Sequence, residues 1–195
     1  MSNALQEFDE HVRGFAQSKH LSDRDLLANF AVGLSGETGE VADVLKKHLY
    51  HGDLLDRVAL TKELGDAFWY WFALLQAKGF PTLRVFQGGI LASLENRNLD
   101  DFDFYTLKLA VKAGDVARII FDHIYLKKRF MSQKFQFAMF ELFECLYLLA
   151  KSADLSLETV LKANIEKLQS RHGGTAFNRE VQRLNKALEE SDRHD

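Results

Sequence analysis

The sequence has very little proline and cysteine, and it lacks an apolar run long enough to cross a membrane. Pro81 is the only proline among 195 residues, so long helices meet almost no proline that would break them. Cys145 is the only cysteine, which excludes an intrachain disulfide and fits a reducing compartment. The longest uninterrupted apolar run, 67–75, is about half the length that a membrane span requires.

The sequence also lacks a strong excess of charge of either sign. The formal net charge is −3 and the isoelectric point is near 6.2, which leaves no basic footprint for a nucleic-acid polymer or a membrane surface. Residues 1–12 are too polar and acidic for a signal peptide. We therefore expect a cytoplasmic protein whose partners include neither a nucleic-acid polymer nor a membrane.

Apolar residues, by contrast, are plentiful and recur at helical spacing. Hydrophobic residues make up 47% of the chain and aromatic residues 12%, which is enough for a sizeable core. The periodicity predicts an all-α fold, a helical bundle in one domain over residues 1–178 followed by a charged tail at 179–195. The predicted helices cover about 4–17, 23–50, 54–78, 104–128, 132–153 and 156–171.

Four acidic residues form two pairs with a spacing of three: Glu37 with Glu40, and Glu63 with Asp66. On a helix this spacing puts both members of a pair on one face. Paired glutamates on helices usually lie on a solvated face, but here apolar residues surround each pair at helical spacing. Four carboxylates on inward faces cost too much as bare charges. The pattern therefore predicts that they bind a cation.

The chain also contains a degenerate internal repeat. Residues 39–42 match residues 114–117 at an offset of 75 residues. At the same offset His48 matches His123, and Tyr50 matches Tyr125. The repeat predicts two similar halves, about 20–90 and 95–172, related by a pseudo-twofold axis.

The two halves differ in their chemistry. At that offset Glu37 corresponds to Lys112, and Glu63 corresponds to Ala138. The full set of four acids therefore exists only in the first half. We expect one composite site per chain rather than two.

Three segments resemble one enzyme family. The segment 30–47, FAVGLSGETGEVADVLKK, resembles the MazG-like nucleotide pyrophosphohydrolases of the all-α NTP pyrophosphatase superfamily, whose signature is ExxE followed by ExxD. The segment 62–70, KELGDAFWY, supplies the second motif, and 161–171, LKANIEKLQSR, resembles the closing NxxK helix. The resemblance covers about 20–80 and 150–177, and a duplication explains the length between them.

The resemblance implies a Mg²⁺-dependent enzyme, with Mn²⁺ as a substitute ion. In this family the four acids, here Glu37, Glu40, Glu63 and Asp66, hold the metal and serve in catalysis. Carboxylate oxygens are the ligands that Mg²⁺ prefers. The implied reaction is hydrolysis of a ribo- or deoxyribonucleoside triphosphate to the monophosphate and pyrophosphate, as a house-cleaning or nucleotide-pool activity. An acid not fully engaged by metal, for which Glu40 is the candidate, would accept the proton of the attacking water.

The substrate contacts are predicted on two helices. Lys167 and Arg171, one turn apart, are expected to offset phosphate charge. Asn164 is expected to bond a phosphate or sugar, and Trp69 is the candidate for contact with the base or sugar. A homodimer remains open, since the fused halves can also replace the family's usual dimer.

The acidic pairs and the helical fold allow three alternatives. A di-iron site requires Glu-x-x-His pairs, and no histidine of this chain has an acid three residues before it, so this site is excluded. A pyrophosphohydrolase acting on phosphoribosyl-ATP shares the fold. A non-catalytic helical interaction protein that kept the fold without the chemistry is the alternative from another class.

Overall fold

The computed structural model describes residues 3–16, 21–86, 90–97 and 102–172, so the predicted tail at 179–195 lies outside the described residues. These ranges contain helices and no strand, which confirms the all-α prediction. The helices are α1 (Asn3–Phe15), α2 (Asp23–His51), α3 (Arg57–Ala77), α4 (Ile90–Glu95), α5 (Phe102–Ile124), α6 (Ser132–Ser152) and α7 (Leu157–His172), with a 3₁₀ turn at Thr82–Phe86. None of these helices combines the length and apolarity needed to cross a membrane.

The ends of α2 follow the capping chemistry of the sequence. The side chain of Ser22 accepts a hydrogen bond from the backbone N–H of Asp25 at 3.2 Å, and two acids in the first turn favour the helix dipole. Gly52 ends the helix in the left-handed region at φ 81°. Helix α3 begins later than predicted, because Asp56 caps it by accepting from the N–H of Ala59 at 2.9 Å.

The helices pack as two hairpins closed by a last helix. Helix α2 packs against α3, α5 packs against α6, and α2 and α5 pack against each other. Helix α7 returns to lie on α3 and α1. Phe68, Trp71 and Phe72 of α3 are fully buried, and the indole N–H of Trp71 donates to the carbonyl of Met139 at 2.7 Å, which ties α3 to α6.

The backbone supports the predicted repeat. Helices α3 and α6 begin and end at the repeat's offset, at 57–77 and 132–152. In the last turn of α2, His48 Nδ1 lies 2.9 Å from the carbonyl of Asp53. At the same offset, His123 Nδ1 lies 3.2 Å from the carbonyl of Lys128.

The loops of the two halves also match in conformation. Gly52 and Gly79 have φ of 81° and 69°, and the residues at the matching positions, Lys127 and Asp154, have φ of 54° and 59°. A positive φ is uncommon for a lysine, so the loop geometry prevails over the residue type there. These local matches favour the pseudo-twofold relation, which as a whole remains a prediction.

Two glycines permit close helix contacts near the predicted acids. A Cβ at Gly33 of α2 would collide with the ring of Tyr70 on α3, and a Cβ at Gly65 of α3 would lie 2.9 Å from the Cβ of Asn164 on α7. At either position, the Cβ of any residue other than glycine would lie too close to a neighbouring side chain. The approach of α2 and of α7 to α3 therefore depends on glycine.

Replacing Gly33 by alanine should destabilise the protein by about 1–3 kcal/mol, because the tyrosine ring must move. Gly36→Ala on the same helix is the matched control, since a Cβ there meets nothing within 4 Å. That change should stabilise the helix by about 0.5–1 kcal/mol. Urea denaturation measures both, and equal effects of the two changes would contradict the close contact.

Candidate metal centre

Three of the four predicted acids converge between α2 and α3. Glu37, Glu63 and Asp66 each offer a carboxylate oxygen, and these oxygens all lie within 4.8 Å of one another. All three residues are partly buried. Within the described ranges, no other acidic, histidine or cysteine cluster of this kind is found. We call these residues the acid triad.

The fourth acid, Glu40, is exposed and lies outside the triad. The inward orientation predicted for it is therefore wrong. Successive residues of a helix are rotated by about 100°, so the spacing of three leaves Glu40 about 60° away from Glu37. The buried stripe of α2 runs instead through Leu34 and Val41. A direct role of Glu40 at the metal remains a prediction.

The charge balance of the triad favours a cation. Burial raises the pKa of Glu37 to about 7, and the negative charges of Asp66 and Glu63 add to the shift, while Lys167 opposes it. The pKa of the Tyr70 hydroxyl is also raised, first by burial and then by the charges of Glu37 and Asp66. The neighbouring lysines thus offset the negative charge of the triad only in part.

Helix α7 brings two of the predicted substrate residues to Asp66. The Nδ2 of Asn164 donates to Asp66 Oδ1 at 2.6 Å, and Lys167 Nζ contacts both carboxylate oxygens. The side chains of Lys167 and Asp66 are 18% and 17% exposed. Asn164 itself is 3% exposed, and its Oδ1 has no hydrogen-bond partner. An acceptor is therefore left for a water or a ligand donor.

The other two predicted substrate residues are Trp69 and Arg171. Trp69 is half-buried and meets the rings of Phe30 and Tyr70 edge-on, with centroids 5.8 Å and 5.0 Å away. Its indole N–H is buried without a partner. Arg171 is exposed in the last turn of α7. The roles assigned to both remain predictions.

The triad fits a divalent cation that prefers oxygen ligands. Opposite ligands of octahedral Mg²⁺ lie about 4 Å apart, since each bond is about 2.0–2.1 Å. The three carboxylate oxygens lie within 4.8 Å of one another, which is compatible with this spacing. Their donor chemistry and their uncompensated charge agree with the same ion.

The matching positions of the second half hold a lysine instead. Lys112 Nζ lies 2.9 Å from Glu141 Oε2 and 3.3 Å from Asp115 Oδ2. Ala138 stands where the first half has Glu63. The ammonium group of Lys112 thus offsets the negative charge of Glu141 and Asp115. This observation supports one composite site per chain.

The chain was compared with known families, curated proteins and solved structures. Residues 27–98 match the MazG nucleotide pyrophosphohydrolase domain. The resemblance to the MazG-like family is thereby confirmed for this part of the chain. The MazG match contains the whole acid triad and ends before α5, so α7 lies outside it. No curated protein and no solved structure matched the chain.

The structure adds residues that sequence reasoning missed. Tyr70 packs on Gly33 beside the triad, and Lys62 pairs with Glu63 at 2.7 Å. A glycine inside a helical pattern often marks a close contact. The close helix contacts at Gly33 and Gly65 could therefore have been predicted from the sequence. The partner of Lys62 could not be read from spacing.

The raised pKa of Glu37 predicts an unusual pH dependence without metal. The folded protein keeps a proton on this carboxyl between its ordinary pKa of 4.5 and about 7, where the unfolded chain has lost it. The group's contribution is therefore fully present below about pH 4.5 and is lost as the pH rises through 7. In EDTA, the melting temperature should fall from pH 5.5 to pH 8.

Glu37→Gln should flatten this profile and melt about 2 °C or more above the wild type at pH 8 in EDTA. Mg²⁺ should raise the melting temperature of the wild type and leave that of the variant unchanged. The exposed Glu166 on α7 provides the control, Glu166→Gln, which should behave as the wild type. A variant less stable than the wild type at pH 8 would contradict the charge balance described here.

Proposed function

We propose that the chain is a Mg²⁺-dependent nucleoside triphosphate pyrophosphohydrolase. It would convert a ribo- or deoxyribonucleoside triphosphate to the monophosphate and pyrophosphate, in a house-cleaning or nucleotide-pool role. The observation that carries the proposal is the convergence of three carboxylates within the stretch that matches the MazG domain. Mn²⁺ is the expected substitute ion.

Glu37, Glu63 and Asp66 are the proposed ligands. A bound divalent ion would lower the pKa of a water and offset charge on the triphosphate. Glu40 is exposed one turn along α2 and is not a member of the triad. As an acid outside the proposed ligand set, it is the proposed acceptor of the proton of the water that attacks the α-phosphorus.

The residues of α7 would orient the site and the substrate. Asn164 and Lys167 hold Asp66 from one side, which fixes the direction of its carboxylate. Lys167 and Arg171 would offset phosphate charge. Trp69, whose indole N–H lacks a partner, would contact the base or sugar.

The non-catalytic interaction protein loses part of its support. Aromatic residues left for a partner and the altered second half would favour such a protein. Three of the five consecutive aromatics of α3, at positions 68, 71 and 72, are fully buried in the core. An acid cluster with an excess of negative charge has no evident use in such a protein.

Hydrolysis of a panel of nucleoside triphosphates, with phosphoribosyl-ATP included, tests the proposal. The products should be the monophosphate and pyrophosphate, only with Mg²⁺ or Mn²⁺, and in H₂¹⁸O the label should enter the monophosphate. Glu37→Gln, Glu63→Gln and Asp66→Asn should each lower kcat/KM by at least about a hundredfold, since each removes a charged ligand.

Two further variants complete this experiment. Glu40→Gln should lower kcat by about ten- to a hundredfold with little change in KM if the residue accepts the proton. Glu166→Gln should leave both unchanged. Hydrolysis that persists in the three triad variants would refute the metal centre as the active site.

A further inference from the structure

Helix α5 exposes an apolar stripe along its length. The stripe occupies positions 104, 107, 111, 114, 118, 121 and 125, at alternating intervals of three and four residues. This is the spacing of the surface through which helices pack in a coiled coil. Its large apolar side chains are between 48% and 71% exposed, and they are Phe104, Leu107, Val111, Phe121 and Tyr125. A purely solvated helix face would carry polar residues at these positions.

Helix α2 has a matching stripe at the offset of the internal repeat. Its positions are 32, 36, 39, 43, 46 and 50, each 75 residues before a member of the α5 stripe. Val32 and Leu107 are 73% and 71% exposed, and Tyr50 and Tyr125 are 68% and 55% exposed. The same helix positions are therefore left uncovered in both halves. We call the two stripes together the outer face.

The two stripes form one continuous surface. A groove of about 530 Å³ lies between the helices, with Tyr50 on one wall and Phe104 and Leu107 on the other. Near the opposite end, the guanidinium carbon of Arg24 lies 5.1 Å from the ring centroid of Tyr125. The two helices are therefore antiparallel, and their exposed sides look in the same direction.

The other helices of the described ranges lie elsewhere. Helices α1 and α7 pack on α3, and α4 packs on α6. The principal neighbours of α2 are α3 and α5, and those of α5 are α2 and α6. Within the described part of the chain, no helix covers the outer face.

The outer face has the size of one side of a stable interface. Its seven large apolar side chains are each about half or more exposed, and together they expose roughly 700 Å² of apolar surface. The largest apolar patch of a typical monomer is about 300–600 Å². A stable interface buries about 800 Å² on each partner. The area therefore fits a lasting contact with another folded chain.

The charges of the outer face are balanced within each helix. Lys46 pairs with Asp43, and Arg118 pairs with Asp122 at 2.9 Å. A strongly acidic or basic partner would find no excess charge to recognise, whereas two copies of the face can meet without repulsion. The commonest contact between identical chains is twofold and uses the same patch on both.

The shape of the outer face also suits a second copy. A Cβ at Gly36 or at Gly39 would meet nothing within 4 Å, so the middle of the α2 stripe is a shallow recess. The matching position to Gly36 on α5 is Val111, which with Leu107 forms a ridge. A twofold axis parallel to both helices would put the α5 ridge of each copy on the α2 recess of the other.

We propose that the outer face joins two copies of this chain in a twofold dimer, with α5 of each copy on α2 of the other. The inference goes beyond the proposed function and does not depend on nucleotide hydrolysis. Glu37 lies five residues from Val32, which is about 140° around the helix axis. The dimer therefore leaves the acid triad of each copy open.

Sedimentation velocity of the full chain tests the dimer. The wild type should sediment as a dimer at about 50 μM, and about 0.5 M NaCl should not dissociate it, because salt screens charges and leaves apolar contacts intact. Val32→Glu and Leu107→Glu should each raise the dissociation constant at least about tenfold, since each puts a charge into a contact from which water is excluded.

Val58 and Leu54 provide the matched controls. They are 82% and 94% exposed, and neither belongs to the outer face. Val58→Glu and Leu54→Glu add the same charge and should change the dissociation constant by less than about twofold. The four changes are at exposed positions, so the helical circular dichroism of each variant should match the wild type.

The remaining outcomes would overturn the proposal. A wild type that stays monomeric at about 50 μM would do so. A dimer that persists in both Val32→Glu and Leu107→Glu, or that dissociates equally in the controls, would place the contact elsewhere. A monomer whose melting temperature falls in Leu107→Glu would indicate that residues outside the described ranges, with 173–195 as the candidate, cover the face instead.

Discussion

The ion pair between Asp66 and Lys167 is the contact on which the candidate site depends. It joins α7 to α3 in a region where both side chains are less than one-fifth exposed. Removing either partner would leave an unpaired charge there, which is costly. The pair can form because Gly65 lets Asn164 approach α3 closely. One contact thus fixes the last helix, orients one acid of the triad and reduces the repulsion among the three carboxylates.

The two halves of the chain meet the same electrostatic problem with different cations. In the first half, Lys62 and Lys167 pair with Glu63 and Asp66 from positions outside the triad. In the second half, Lys112 occupies the helical position that corresponds to Glu37, and it pairs with Glu141 at 2.9 Å. A lysine thus stands where the first half has a carboxylate, so fewer acids remain there to bind a metal ion. The difference accounts for a single candidate site in a chain whose loops and helix ends repeat so closely.

Much of the fold could be predicted from local chemistry, because helix ends depend on nearby residues. Ser22 and Gly52 bound α2 as their types predict. The predicted inward orientation of Glu40 is wrong because a spacing of three brings two residues to one side of a helix without giving them the same burial. The contacts of Lys62 and Tyr70 depend on how helices cross, which no spacing within one helix encodes.

The central claim is that Glu37, Glu63 and Asp66 hold a divalent cation. The most direct measurement is a crystal structure with Mn²⁺, with its anomalous scattering used to locate the ion. We expect a peak bounded by these three carboxylates and none beside Lys112. Absence of a peak at the triad from Mn²⁺-soaked crystals, or a peak only at surface acids, would contradict the account.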